Sequence, residues 1–215
     1  MTALSKISKW LSISEPEAHT YSFSRHEYYN RIINPRNVED MISQYEHGDK
    51  KIVYTDIKIR FNGADFGDKM KGFLKTHKPR HIIENLNNNR VNHSVLFYKE
   101  KMGRHNVVTQ MHYVDNNLFW GTYLFSNNLD KIQVKEIEKA LIEKYGIEEE
   151  VDLKNVLICD IDKNMIELKN DMFTSISYIS GRKSVIDQLK FMVKEFKQLI
   201  RVTSGSEQQN LVEKL

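Results

Sequence analysis

Residues 93–126 read HSVLFYKEKMGRHNVVTQMHYVDNNLFWGTYLFS, and their reading decides the fold. Three runs rich in β-branched and aromatic residues are separated by two short breaks. Met102-Gly103 and Asn116-Asn117 stand at the breaks, and Gly and Asn tolerate the positive φ that tight hairpin turns demand. The stretch therefore predicts a three-strand antiparallel meander. Two-residue turns at those places set Phe97 opposite Val108, His93 opposite His112, Tyr113 opposite Trp120 and His112 opposite Gly121. One face then carries Leu96, Tyr98, Val107, Met111, Tyr113, Trp120 and Leu124; the other carries Val95, Phe97, Val108, Val114, Phe119, Tyr123 and Phe125. Both are largely apolar, so the meander is expected to be central and covered on both sides. Side chains alternate with period two, so a slip of one residue exchanges the faces.

Helical periods flank the meander. Val38, Met41, Ile42 and Tyr45 form one stripe, with Asn37 placed to cap it. Val134, Ile137, Leu141 and Tyr145 form another, opened by a capping-box pattern at Asp130 and Gln133 and closed by Gly146. From Arg182, residues Val185, Leu189, Met192, Phe196 and Leu199 give a long apolar seam. Residues 51–61 alternate as a strand with one slip of phase, and a short helix over 69–76 ends before Pro79. Further strands are expected at 155–162, 165–169 and 173–179. The order strand, strand, helix thus occurs twice, at 105–145 and at 155–200. Residues 3–11 read as a short amphipathic helix, whereas 20–34, rich in aromatics and arginine, carry no clear period.

The predicted fold is α+β. A central antiparallel sheet, with the meander at about 93–126, is covered by helices and followed by a C-terminal strand-strand-helix unit. Residues 1–48 form an N-terminal helical or irregular segment packed on an α+β body at 49–200. An acidic stretch at 147–152 marks a sub-boundary, and 201–215 is a polar tail. The segment Gly67 to Pro79, with Phe73 at its hydrophobic position, resembles the Gly-to-Leu-Gly-x-Pro helix of the BamE-type two-helix, three-strand domain, and three strands follow it. Its spacing is one residue shorter and His77 stands where that pattern has glycine. The resemblance implies a shared architecture, and no functional residue carries over from it.

The chain has 215 residues, 40% hydrophobic and 28% charged, enough apolar content for a real core. Its single cysteine excludes an internal disulfide. The N-terminus has no apolar run of the secretory kind, and no stretch is long and apolar enough to span a membrane. A soluble, cytoplasmic protein is the expectation. The net charge of +3 permits an anionic partner without requiring one.

Several residues carry possible chemistry. His93 and His112, neighbours under the predicted pairing, could share a ligand; Asp160 and Asp162, on one face of a strand, could serve as further donors, but nothing in the sequence brings them together and no motif spacing supplies a third ligand, so no metal and no cofactor is predicted. The stretch 21–31 interleaves aromatics with Arg25, His26 and Arg31, and the hairpin tip carries Arg104 and His105. Such groups can stack bases and touch phosphates, but no recognised nucleic-acid motif organises them. Cys159 alternates with Leu157 and Ile161 in a strand and reads as a buried structural thiol. Gly63 to Lys69 fails the phosphate-loop spacing and reads as a turn into a helix. The function expected is a non-enzymatic binding or accessory protein that recognises another protein or a second copy of itself, with the last helix as the natural docking face. An enzyme with a site near His93 and His112, and a nucleic-acid binder using the basic and aromatic surface, are the alternatives.

Overall fold

The computed structural model describes residues 24–46, 50–84, 92–126, 129–147, 151–171 and 173–195. The predicted helix at 3–11 and the polar tail lie outside them. The chain divides into two compact units, 1–32 and 33–215. In the first, the described element is α1 (Arg25–Ile32). The Ser24 backbone donates to Glu27 Oε2 at 2.7 Å and the Glu27 backbone donates to Ser24 Oγ at 3.2 Å, a capping box that starts the helix.

The second unit contains α2 (Val38–Tyr45), β1 (Lys51–Tyr54), α3 (Met70–Leu74), β2 (His81–Ile83), β3 (His93–Met102), β4 (His105–Val114), β5 (Asn117–Phe125), α4 (Lys131–Lys144), β6 (Val156–Cys159), β7 (Met165–Asn170), β8 (Thr174–Ile179) and α5 (183–195). The protein is mixed α+β. Among the described residues eight strands form one mostly antiparallel sheet in the order β1-β6-β7-β8-β5-β4-β3-β2. The β1–β6 pair is parallel, and every other pair is antiparallel.

The sheet is larger than the meander and changes its surroundings. Strand β8 pairs with β5, so β6, β7 and β8 continue the same sheet and are no separate C-terminal unit. Four strands, β2 to β5, follow Pro79 inside a sheet of eight, so the three-strand architecture implied by the BamE-type resemblance does not describe this chain. The expected strand at 51–61 stops at Tyr54. Beyond it the Asp160 carboxylate accepts from the Ile59 backbone at 2.8 Å, and a tight turn with Asn62 and Gly63 at positive φ pairs Phe61 with Ala64.

The turns and register differ from the sequence expectation by small steps with large consequences. The first turn sits at Gly103-Arg104, so Phe97 lies opposite Gln110 and His93 opposite Val114. This offset of two leaves the faces of β3 and β4 as expected. The second turn is Asp115-Asn116, both residues at positive φ. A bulge between His112 and Tyr113 then sets His112 opposite Trp120 and Tyr113 opposite Leu118. The extra residue exchanges the faces of β5: Tyr123 and Phe125 join Met111, while Trp120 and Leu124 join His112.

Two cores result. One face of the sheet buries Leu96, Met111, Phe125, Ile166 and Tyr178 against Val134, Ile137 and Leu141 of α4 and against Ile59 and Phe61 of the loop after β1. Phe61 lies over Gly121, where a Cβ would meet its ring at 2.2 Å, so a side chain at 121 would displace it. The opposite face buries Trp120, Leu157, Met165 and Ile179 against Val38 and Met41 of α2 and Ile186 and Leu189 of α5. The described part of the C-terminal seam therefore packs on the sheet. Phe196 and Leu199 lie outside the described residues.

Candidate functional site

Between α4 and the sheet lies a cavity of about 660 Å³, within the range that small-molecule sites occupy. Its floor is Tyr123 of β5 with Ile176 and Tyr178 of β8. Its wall is one side of α4: Ile137 and Leu141 from the buried stripe, and Ala140 beside them. Ala140 is exposed, and its short side chain leaves the wall open to solvent. The tip of the β3–β4 hairpin, Met102 to His105, forms the rim, with Glu136 and Lys144 of α4 facing it.

Local chemistry holds these parts in place. The wall helix starts at Asp130, whose carboxylate accepts from the Gln133 backbone at 2.8 Å while the Gln133 side chain accepts from the Asp130 backbone at 3.0 Å. The floor aromatics interlock: Phe61 and Tyr123 have centroids 4.7 Å apart, Phe61 and Tyr178 5.1 Å, and Tyr123 meets Tyr178 edge to face at 5.8 Å. At the rim Arg104 donates to Glu136 at 2.8 Å, tying the hairpin to the helix. Both partners are more than half exposed (62% and 55%), so the pair contributes little stability, about 0–1 kcal/mol, and is screened by salt. His105 is half-buried, its ring edge-on to Phe125.

The cavity is apolar below and charged above. Burial pushes the Tyr123 and Tyr178 phenols up; Glu100 adds to the shift of Tyr123, and the Tyr145 phenol to that of Tyr178. Both stay neutral at physiological pH and can donate or accept a hydrogen bond without acting as bases. Arg104 and Lys144 set two positive charges at the rim against the one negative charge of Glu136.

His93 and His112 do come together, though diagonally: each is opposite a valine of the other's strand. His93 Nε2 and His112 Nδ1 are 3.1 Å apart in a hydrogen bond, and both residues are completely buried. Burial holds His93 down to about 4, and burial together with the neighbouring His93 holds His112 well below the ordinary imidazole value, against an opposing pull from the Asn34 backbone. The pair is neutral. His93 Nδ1 has no hydrogen-bond partner. Beside them the Gln110 side chain accepts from the Asn34 backbone at 2.9 Å, and Thr122 Oγ1 donates to the Asn34 carbonyl at 3.1 Å. These contacts anchor residue 34 on this face of the sheet. Among the described residues no three His, Cys, Asp or Glu side chains gather as a metal site requires. Asp160 is engaged by the Ile59 and Asn164 backbones and the Asn164 amide. Cys159 is buried, and its thiol is pushed up by burial and by Asp160.

The remaining sequence candidates separate. Arg104 and His105 line the cavity rim. Arg25, His26 and Arg31 are exposed on α1, in the other compact unit. Sequence reading missed Tyr123, Ala140, Lys144, Ile176 and Tyr178. The visible signal was Ala140, a small residue bordering the apolar stripe of α4. No helix among the described residues is long and apolar enough to cross a membrane. Comparison with protein-family models, curated proteins and solved structures finds no match to this chain.

Proposed function

We propose that this chain is a non-enzymatic binding protein, and that its recognition site is the cavity between the β3–β4 hairpin tip and α4. The observation that carries the reading is the construction of the cavity. An aliphatic and aromatic interior of about 660 Å³ opens at Ala140, between charged side chains from two different elements. Apolar walls with a few polar groups at the mouth are what a binding pocket needs to hold the apolar part of a ligand and orient its polar end. Neutral phenols on the floor suit hydrogen bonding rather than proton transfer. The described part of the seam where the sequence placed partner docking packs on the sheet through Leu189, with Val185 and Met192 partly buried beside it, which favours the cavity as the site of recognition.

The test is a fluorescence titration of the full chain with N-phenyl-1-naphthylamine, an uncharged aromatic probe that brightens in apolar surroundings. The expected result is saturable binding by the wild type and its loss in Ala140→Trp, whose indole fills the mouth. Ala140 is exposed on the helix, so the substitution leaves the core intact. Equal binding by both proteins overturns the reading.

A further inference from the structure

We infer that the ligand of this cavity is a small amphipathic anion: an aryl or alkyl body ending in one carboxylate, sulfonate or phosphate. The inference rests on the binding reading above and adds the charge of the ligand to it. The rim supplies that charge. Arg104 and Lys144 approach the mouth from opposite sides, one on the hairpin tip and one on α4, and Glu136 offsets only one of them. Arg104 reaches Glu136 through a single Nη2 contact of 2.8 Å, so other guanidinium donors remain for a second oxyanion. Lys144 lies 5.2 Å from the centroid of the Tyr145 ring, which keeps its ammonium close to the helix surface beside the mouth. Below the rim the walls turn apolar through Ile137, Leu141 and Ile176, where a second charge would lose its hydration without a partner. The geometry therefore sorts a ligand by its two ends: head at the rim, body on the tyrosine floor.

A matched pair of probes isolates the charge. 1-Anilinonaphthalene-8-sulfonate carries the ring system of N-phenyl-1-naphthylamine plus one sulfonate, and both can be titrated into the full chain at low and high salt. The sulfonate is expected to bind on the order of fivefold tighter at low salt, the scale of one solvent-screened ion pair. That advantage should shrink at high salt and vanish in Arg104→Glu. Lys144→Glu repeats the test from the helix side if the first variant does not fold, and Ala140→Trp should lose both probes. Equal affinity of the two probes, with both still lost in Ala140→Trp, overturns the anionic ligand and leaves the cavity reading standing. Failure of the wild type to bind either probe overturns the cavity reading and this inference together.

Discussion

At the scale of single residues, burial decides what a group can do. His93 and His112 have the chemistry of acid-base catalysts, yet both are completely buried and meet each other at 3.1 Å. Their effect falls on stability. An unfolded histidine takes up a proton near pH 6.5, whereas folded His93 does so only near 4. Between those values the unfolded chain binds more protons, so stability is full above about 6.5 and falls as the pH drops towards 4. Urea denaturation is expected to show a loss of about 2 kcal/mol between pH 7.5 and 5 from His93 alone. The His93→Leu, His112→Leu double variant should flatten that slope; an unchanged slope would assign the acid sensitivity elsewhere. That the two histidines are neighbours was legible from the alternation in β3 and β4. That they are sealed was not, because the anchor at residue 34 lies about 60 residues or more away along the chain.

At the scale of elements, local signals did well where the chemistry is local. The cap of α4 was visible as Asp130 and Gln133, and both hydrogen bonds form. Asp130→Ala is expected to cost about 1 kcal/mol in chemical denaturation, a typical loss for a cap. Arg104→Ala, which removes only an exposed ion pair, should cost less than that. The Ser24-Arg25-His26-Glu27 capping box of α1 is equally local, but the aromatic content of 20–34 obscures the helical period that would follow it. Strand β5 shows the limit. Its existence follows from alternation, but its facing follows from a bulge at His112/Tyr113 that leaves no mark in the local pattern. That single extra residue puts Tyr123 on the cavity floor and Trp120 against α2 and α5, the reverse of the sequence expectation.

At the scale of the whole molecule, the seam between β5 and β8 makes one sheet from two strand groups distant in sequence. The repeated order strand, strand, helix does not extend to equivalent packing. A two-fold axis through that seam, perpendicular to the sheet, would place α4 and α5 on the same face, whereas they cover opposite ones. The sheet also predicts a gradient of local stability. Hydrogen exchange should be slowest in β4, β5 and β8, in the middle of the sheet, and fastest in the short outer strands β1 and β2. Protection of β1 equal to that of β4 would contradict the strand order. By itself the sequence determined the mixed α+β class, most helix and strand positions and the cap of α4, because these depend on residues within a few positions of one another. Tertiary structure alone decided the parallel β1–β6 pair, the β5–β8 seam, the facing of β5 and hence the cavity. Each depends on which distant segments meet, and turn chemistry and hydrophobic period carry no information about that choice.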